Sequence, residues 1–431
     1  MSNEPLKVAV AGLGTVGGGT VRLLHENKDI LAARCGRPVE LRAVAERDKT
    51  RDPGVSLDGI ARFDDARALV DLDDVDVVVE LIGGSGGIAK ELCEKAIAAG
   101  KHVVTANKAL LAHHGNALAK AAEAKGVTLG FEAAVAGGIP IIKAIREGLV
   151  ANRLRRVYGI LNGTCNYILT NMRDSGREFA DVLKEAQTLG YAEADPSFDV
   201  DGIDTAHKLA ILTSIAFGCE IDFENVNIEG IRHVSPLDIK FADELGYRIK
   251  LLGVTSVTDD GIEQRVHPCM VPADRPVAKV DGVFNAVVAD GDFVDSTVYV
   301  GRGAGARPTA SAVVSDIADI ARGRRVPTFG VPAAQLRKAA PSPMDRHKGE
   351  FYLRLMVLDR PGVFADVANI LARHEVSMGS VLQHGRAPGE AVPVVVTLHE
   401  TEEARVRAVL GELEALDTVV ETPRMIRIEA F

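Results

Sequence analysis

The feature that most constrains the fold lies near the start of the chain, where an apolar run leads through glycines into a helical pattern. Leu6–Ala11 is typical of a buried parallel strand, and the helical pattern runs from residue 16 to about residue 31. The turn between them reads Gly12-Leu13-Gly14-Thr15-Val16-Gly17. Glycines at this spacing permit a tight turn and let the backbone approach a pyrophosphate at the helix N-terminus. A strand, these glycines and a helix in that order predict that the six residues bind a dinucleotide.

Strands and helices alternate after this unit, which predicts a doubly wound parallel sheet, the Rossmann type of α/β fold. The strand-like runs are 39–45, 75–82, 102–105 and 127–132, and the helical runs are 88–99 and 109–125. Ligands of such sheets lie beyond the carboxyl ends of the strands, where Gly12, Gly83 and Lys108 fall. We therefore expect Gly83 to lie beside the cofactor and Lys108 to project towards the bound nicotinamide or the substrate. A lysine near a helix start without a role is the alternative for Lys108.

The end of the second strand bears on which nicotinamide cofactor binds. It is followed by Glu46-Arg47-Asp48-Lys49, with Arg51 close behind. A carboxylate here would bind the ribose hydroxyls of NAD, whereas a cation would favour the 2′-phosphate of NADP. The chain offers both, and its acid lies further from the glycines than the usual ~20 residues. The cations favour NADP slightly and make Arg47 a candidate cofactor residue, with a solvated basic loop as the alternative.

The pattern changes after Glu132. Residues 133–140 are small and glycine-rich, so their carbonyl oxygens are free to face a hard cation, unless the segment is only a glycine turn. Strand-like runs at 248–257, 263–270 and 294–300 predict an open sheet backed by helices, which makes this an α+β domain. A second glycine-rich segment, 301–305, leads into a helix at 309–321. It would place Gly305 against a cofactor phosphate or the nicotinamide, or it is a helix start without a ligand.

An acidic segment lies between Gly190 and Lys208. Its five carboxylates are Glu193, Asp195, Asp199, Asp201 and Asp204. Asp204 and Lys208 are four residues apart, so they share one face of the predicted helix. A buried lysine beside a carboxylate can exchange a proton, and the acids upstream can hold an ammonium group. The alternative is a solvated acidic loop followed by an ordinary surface ion pair.

The C-terminal part has a pattern of its own. Strand and helix signals at 351–358, 363–374, 376–383, 392–398, 402–416 and 425–428 give the order βαββαβ, which predicts a ferredoxin-like sandwich. A turn is predicted at 387–389, and the proline-rich, basic residues 322–349 are expected to be a linker or a surface crossover. The predicted division is 1–133 for the Rossmann domain, with 305–325 returning to it, 134–304 for the catalytic and dimerisation domain, and 350–431 for the C-terminal domain.

Composition argues against several classes of protein. The net charge of −10 disfavours nucleic acid as a partner, because phosphate binding needs a basic surface. No apolar run reaches the roughly 18 residues that a membrane span requires. The five cysteines are scattered and never form a CxxC pair, which favours reduced thiols over disulfides or a zinc site. Together with a start that has no signal-peptide core, these features predict a cytoplasmic protein.

Together the motifs resemble those of bacterial, regulated homoserine dehydrogenases over essentially the whole chain. The matching segments are 12–17, Thr105-Ala106-Asn107-Lys108, 132–140, 159–164, and 190–196 through Asp204 and Lys208. The C-terminal part resembles an ACT domain, a module that commonly pairs with another copy and binds an amino acid. The resemblance implies a homodimer or homotetramer that interconverts L-homoserine and L-aspartate 4-semialdehyde. NAD or NADP would carry the hydride, in the biosynthesis of threonine, methionine and isoleucine.

The resemblance also implies roles for individual residues. Lys208 would carry the proton, with Asp204 and Lys108 as the other catalytic residues. The substrate would be bound by Glu193, Asp199, Asp204 and Gly190. A structural sodium ion would be held by Glu132, Val135, Gly137 and Ile139, mostly through backbone oxygens. L-Threonine is the expected effector, bound near residues 359–362 at an interface between subunits, unless the ACT domain only serves dimerisation.

Two other functions stay open at this point. A semialdehyde dehydrogenase needs a thiol nucleophile with a base nearby, and Cys165 is the only cysteine in a plausible turn. No sequence feature activates that thiol. A nucleotide-sensing regulator with an amino-acid-binding tail would keep the glycine loop, but it has no need for Glu193, Asp204 and Lys208 together.

Overall fold

The computed structural model describes residues 4–384 and 389–431, and its first sheet has six parallel strands. The strands are β1 (Leu6–Ala11), β2 (Val39–Ala45), β3 (Ala61–Phe63), β4 (Val77–Glu80), β5 (His102–Thr105) and β6 (Leu129–Gly130). Their order across the sheet is β3-β2-β1-β4-β5-β6. The chain therefore runs outward in one direction from β1 and then in the other. This confirms the predicted doubly wound fold and places the glycine loop after β1, where the strand order reverses.

The helices around this sheet follow the prediction with one exception. α1 (Thr15–Glu26) and α2 (Lys28–Cys35) replace the single helix expected at 16–31, so that prediction is wrong. Asn27 separates them because it leaves helical geometry, with φ −107° and ψ 19°, and asparagine favours helix ends over helix interiors. α3 (Gly87–Ala98) and α4 (Lys108–Lys125) lie close to their predicted positions.

Among the described residues, the second sheet has ten strands and crosses from the middle of the chain into its C-terminal part. The middle part supplies β7 (Leu154–Ile160), β8 (Asn227–Ile228), β9 (Tyr247–Thr258), β10 (Gly261–Pro272), β11 (Phe284–Gly291) and β12 (Asp295–Arg302). The C-terminal part supplies β13 (Lys348–Leu358), β14 (Met378–Gln383), β15 (Ala391–Glu402) and β16 (Arg424–Ile428). The order is β12-β11-β7-β9-β10-β16-β13-β15-β14, with β8 beside β10. The predicted open sheet is present, and β11 is a strand that the sequence analysis missed.

The middle part of the chain also supplies helices. They are α5 (Ile141–Lys143), α6 (Gly163–Ser175), α7 (Phe179–Thr188), α8 (Ser197–Val200), α9 (Ile203–Phe217), α10 (Pro236–Glu244) and α11 (Ala306–Ala321). α6, α9 and α10 pack against β9, and α9 also contacts β7. α11 instead packs along α1, and its Val313 and Ile317 share a hydrophobic cluster with Val8 and Val10 of β1.

The C-terminal part completes its βαββαβ order with α12 (Val363–Arg373) and α13 (Glu403–Glu414), which confirms the ferredoxin-like prediction. β16 pairs with β13 on one side and with β10 on the other, so the two parts share one sheet. The last residue, Phe431, stacks on Tyr158 of β7 with ring centroids 3.6 Å apart. Residues 387 and 388 of the predicted turn lie outside the described residues. Within the described ranges, no helix is both long and apolar enough to cross a membrane.

Candidate active site

α9 carries the two charged residues that the sequence analysis paired, Asp204 and Lys208. Every residue of this helix from Asp204 to Ile215 is buried, so α9 lies in the core rather than on the surface. Asp204 is 3% exposed and Lys208 is 8% exposed. This burial excludes the alternative of an ordinary surface ion pair.

The Lys208 ammonium is held at two of its three N–H positions. Its Nζ donates to Asp204 Oδ2 and to the Leu161 carbonyl oxygen, each at 2.7 Å. Leu161 directly follows β7, so the lysine lies at the end of that strand. An ammonium group has three N–H donors, and in the described part of the chain only these two acceptors contact it. One N–H is therefore left for a bound molecule.

Asp204 also binds the second lysine that the sequence analysis selected. Lys108, the first residue of α4, places its Nζ 2.8 Å from Asp204 Oδ1. Its side chain is 33% exposed and lies over the Phe198 ring, with Nζ 5.4 Å from the centroid. It lines an open cleft of about 450 Å³ together with Gly83 and His207. Asp204 thus links a buried lysine to one that faces this cleft.

The sequence analysis missed one residue of this cluster, Asn162. Its Nδ2 donates to Asp199 Oδ1 and to Asp204 Oδ2, each at 2.8 Å, and its Oδ1 accepts the backbone N–H of Cys165 at 2.8 Å. Asp199 is thereby joined to Asp204 at the start of α6. The sequence analysis included Asn162 only within the matching segment 159–164, because its partners are 37 and 42 residues away.

Burial and neighbouring charges shift the pKa values of this cluster in different directions. Burial acts to raise the pKa of Asp204, but Lys208 and Lys108 outweigh it and hold that pKa well below the usual range. Burial lowers the pKa of Lys208, and Lys108 adds to this while Asp204 opposes it. For Lys108 the attraction of Asp204 outweighs burial, so its pKa is raised. Burial and the Asp204 charge raise the pKa of Asp199. Of the two lysines, Lys208 is therefore the one poised to lose a proton.

Gly190 and Glu193 lie at the rim of this cluster rather than within it. Both are exposed, and Gly190 adopts a left-handed φ of +75°. The charge of Glu193 contributes to the raised pKa of Lys108, so the carboxylate is within electrostatic reach. In the described residues that carboxylate makes no hydrogen bond, which leaves it free to hold a bound cationic group.

The glycine loop has the geometry of an anion cradle. Gly12 adopts φ +92°, and a Cβ on it would lie 2.7 Å from the Leu81 carbonyl oxygen. A Cβ on Gly17 would lie 1.8 Å from the Gly12 carbonyl oxygen. Gly14 precedes α1 without a side-chain cap, so the first amides of the helix, including those of Thr15 and Val16, are open to a phosphate. The loop therefore fits a dinucleotide.

Two carboxylates that the sequence analysis did not assign to the loop hold its surroundings in place. Glu46 Oε2 accepts the Leu13 N–H at 2.7 Å. Burial opposes ionisation of Glu46, but this amide, that of Asp48 and the Arg51 charge lower its pKa. The fully buried Glu80 accepts the Gly83 N–H at 2.9 Å and the Thr105 hydroxyl at 2.7 Å. It thereby fixes the ends of β4 and β5 to each other.

Two clefts next to the loop are lined by arginines, and two of these, Arg47 and Arg51, belong to the predicted basic cluster. A cleft of about 670 Å³ runs between α1 and α11 and is lined by Arg22, Arg51 and Arg307. A smaller one of about 160 Å³ lies at the end of β2 and is lined by Glu46, Arg47 and Arg51. Lys49 instead pairs with Asp64 at 3.2 Å on the surface. Gly305 precedes α11 with φ +112°, at the helix end where the larger cleft is lined by Ala306.

The residues implied for a sodium ion form a buried turn. Ala136 and Gly137 both adopt left-handed φ angles, +53° and +47°. The carbonyl oxygens of Val135 and Gly137 accept no hydrogen bond from any described residue, whereas that of Ile139 accepts the Ile141 N–H at 2.7 Å. The Glu132 carboxylate accepts the Ile142 and Lys143 amides at 2.8 and 2.9 Å, so it points away from this turn. Unpaired buried carbonyls are the donor set that a hard cation prefers, and the turn fits one.

A dinucleotide cradle at the carboxyl end of β1, and a buried lysine–carboxylate pair joined to Lys108 after β5, are the features of a nicotinamide-dependent oxidoreductase. Comparison with known proteins is consistent with this class. The chain matches the model of the "Homoserine dehydrogenase, NAD binding domain" over residues 12–132 and that of "Homoserine dehydrogenase" over residues 140–318. Residues 351–418 match the ACT domain.

Full-length relatives agree with these matches. The chain is 48% identical to the homoserine dehydrogenase of Neisseria gonorrhoeae, with 99% of each sequence covered. It superposes on the crystal structure of a homoserine dehydrogenase from Thiobacillus denitrificans with a TM-score of 0.94, at 48% identity and 99% coverage of each chain. A hyperthermophilic archaeal homoserine dehydrogenase in complex with NADPH matches with a TM-score of 0.64 and 26% identity, over 75% of this chain and 99% of that one. The chain belongs to the homoserine dehydrogenase family.

Proposed function

We propose that the chain interconverts L-homoserine and L-aspartate 4-semialdehyde, with Lys208 exchanging the proton of the alcohol. When bound, the nicotinamide cofactor supplies the hydride chemistry. Oxidation also requires that a proton leave the alcohol oxygen, and a lysine amine within hydrogen-bond reach can accept it. The observation that carries the proposal is the burial of Lys208 beside Asp204, with two N–H groups committed and one open.

The two hydrogen-bonded N–H groups of Lys208 determine the direction of the third N–H, which carries the transferred proton. Nitrogen in an ammonium group is tetrahedral, and Asp204 and the Leu161 carbonyl fix two of its three N–H bonds. After deprotonation the same two bonds can persist, so the lone pair takes the third position. In reduction, the third N–H polarises the carbonyl oxygen and then donates its proton to it. The lowered pKa of Lys208 favours the neutral amine that oxidation needs.

The acidic residues around the lysines are proposed to bind the substrate. Asp199 and Glu193 carry charges near Lys108 and can hold the ammonium group of an amino acid. Asp204 would contribute through its position between the two lysines, and Gly190 would leave space beside the substrate, since no atom lies within 4 Å of a Cβ placed there. Lys108 is proposed to contact cofactor and substrate.

The structure around Glu46 supports a preference for NADP. In NAD enzymes the acid at this point binds the ribose hydroxyls, but here its Oε2 accepts the Leu13 amide. Arg47 and Arg51 line the adjacent cleft and are suited to a 2′-phosphate. The archaeal relative crystallised with NADPH is in accord with this. Replacing Arg47 and Arg51 by alanine should raise KM for NADPH far more than KM for NADH, and an equal rise for both would contradict the preference.

We also propose a sodium ion on the carbonyl oxygens of Glu132, Val135, Gly137 and Ile139, where it would fix the turn between the two sheets.

We further propose that L-threonine inhibits the enzyme by feedback through the ACT domain. The same proposal includes a homodimeric or homotetrameric state, a role in threonine and methionine biosynthesis and a cytoplasmic location. Activity that millimolar L-threonine leaves unchanged would contradict the inhibition.

The decisive assay follows NADPH oxidation with L-aspartate 4-semialdehyde. The proposal predicts turnover that is lost in Lys208→Ala, whereas NADPH binding, measured by fluorescence titration, is retained. Alkylation of thiols should leave the activity intact, because all five cysteines are buried and burial raises the pKa of Cys165 well above its ordinary value. Near-normal turnover of Lys208→Ala would reject Lys208 as the proton carrier.

A further inference from the structure

We infer that Asn162 is a positioning residue that orients the Asp204 carboxylate and thereby sets the direction of the uncommitted N–H of Lys208. The inference rests on the proposed function of Lys208 and concerns a residue that does not itself touch the reacting atoms. Asn162 precedes α6 and is 5% exposed, so its amide lies inside the protein with the charges it contacts.

Both N–H donors and the oxygen of the Asn162 amide have hydrogen-bond partners. One N–H goes to Asp199, the other goes to Asp204, and the oxygen accepts the Cys165 amide at the start of α6. Turning the amide over would face its oxygen towards two carboxylates and its donors towards an N–H. The side chain therefore has one orientation, which is fixed by the helix start.

That orientation determines how Asp204 meets the two lysines. Asp204 Oδ2 accepts from Asn162 and from Lys208, whereas Oδ1 faces Lys108. The amide is neutral and does not titrate, so it can hold the carboxylate while Lys208 gains or loses its proton. The neighbouring residue Leu161 supplies the other acceptor of Lys208. Residues 161 and 162 together thus set both fixed bonds of the lysine.

The amide also moderates the charge that Lys208 experiences. The ionisable groups around that lysine are Asp204, Lys108, Asp199, His207 and Cys165. Burial and His113 lower the pKa of His207 to about 4, so that side chain is neutral at working pH. Removing the two amide donors leaves the carboxylates less stabilised by hydrogen bonds. Asp204 then attracts the Lys208 proton more strongly, and the pKa of Lys208 rises.

The test is Asn162→Ser, with Asn166→Ser as the matched control. Serine keeps an oxygen suited to the helix start but is too short to bridge both carboxylates. Asn166 is another buried asparagine of α6, and it donates to the Val280 and Gly282 carbonyl oxygens away from the cluster. We expect Asn162→Ser to lower kcat about tenfold. It should also shift the alkaline limb, the pH range in which the rate of homoserine oxidation rises as Lys208 deprotonates, to higher pH by up to about one unit. Asn166→Ser should leave the position of that limb unchanged.

The two proposals fail in different ways. A pH profile of Asn162→Ser that superimposes on that of the parent, with activity lost only in proportion to folded protein, would overturn the role of Asn162. Turnover retained in Lys208→Ala would instead overturn the proposed function. If Asn162→Ser does not fold, Asn162→Asp decides, because it keeps the cap and adds a charge. It should then shift the limb further upward, and an unshifted limb contradicts the inference.

Discussion

Two buried lysines, Lys208 and Lys250, show what separates the proposed reactive amine from a structural one. Both have pKa values lowered by burial, and both lie beside a carboxylate. Lys250 Nζ donates to the Val280 carbonyl oxygen at 2.6 Å, to Asp281 at 2.9 Å and to Asn166 at 3.1 Å, which uses all three of its N–H groups. Lys208 has two acceptors and lies beside Lys108. An uncommitted N–H therefore distinguishes the proposed reactive amine better than the shifted pKa does.

An uncommitted N–H is not sufficient on its own. Lys101 donates to the carbonyl oxygens of Leu72 and Val75 and also has two acceptors. It precedes β5, however, and thus lies at the amino end of the parallel strands, whereas ligands bind at the carboxyl ends. Lys208, in contrast, shares Asp204 with Lys108, which follows β5 at the carboxyl ends of the parallel strands and lines the open cleft.

The largest expected effect is that of Lys208→Met. It should lower kcat for homoserine oxidation by about 10²–10⁴-fold, the usual contribution of a positioned acid or base. Stability should fall by no more than about 1–3 kcal/mol, because the Leu161 carbonyl oxygen loses its donor while Asp204 keeps Lys108 and Asn162 as partners. Steady-state kinetics and thermal unfolding of the same preparation measure both quantities. A kcat within threefold of the parent would remove Lys208 from the chemistry.

Lys250→Met should lower the stability of the protein and leave kcat nearly unchanged. It leaves the Asn166 amide oxygen without its donor and removes one of the two donors of the Val280 carbonyl oxygen, which is expected to cost about 1–3 kcal/mol of stability. The kcat of the folded protein should stay near that of the parent, because Lys250 contacts no residue of the proposed site. Urea unfolding followed by circular dichroism measures the loss. A large fall in kcat without a loss of stability would erase the distinction between the two lysines.

Lys108→Gln tests the charge environment of Lys208 through the pH dependence of the oxidation rate. The rate of oxidation should rise with pH as Lys208 deprotonates, and the midpoint of that rise should lie below the ordinary lysine pKa of about 10.4. Lys108 lowers the pKa of Lys208 by charge repulsion. Removing that charge should move the alkaline limb upward, by up to about one pH unit. The pH dependence of kcat shows this directly, and a downward shift would contradict the assigned charges.

Asp281→Asn is expected to have the smallest effect. Asp281 pairs with Lys250 and Arg173, but its side chain is 41% exposed, so solvent screens these interactions. The loss of stability should be within about 1 kcal/mol, with kcat unchanged.

Asp204→Asn is the variant to compare with Asp281→Asn, because the Asp204 carboxylate is buried and holds both lysines of the proposed site. Equal effects of the two substitutions on kcat would contradict the account.

The sequence predicted the parallel sheet, the glycine loop and the pairing of Asp204 with Lys208, because each depends on local spacing. It did not distinguish Lys208 from Lys250 by burial. The partners of Lys250 lie 30, 31 and 84 residues away in the chain, so only the folded structure brings them together. Asn162 and Leu161 were missed for the same reason. The shared sheet through β16 depends on strand pairing between distant segments, which no local pattern predicts.

The position of the Lys208 nitrogen in a ternary complex tests the account most directly. A crystal structure with L-homoserine and an oxidised nicotinamide cofactor should place Nζ about 2.6–3.2 Å from the alcohol oxygen. The bonds from Nζ to Asp204 and to the Leu161 carbonyl oxygen should be retained in that complex. An Nζ atom that points away from the alcohol, with another ionisable group in hydrogen-bond contact with that oxygen, would contradict the account.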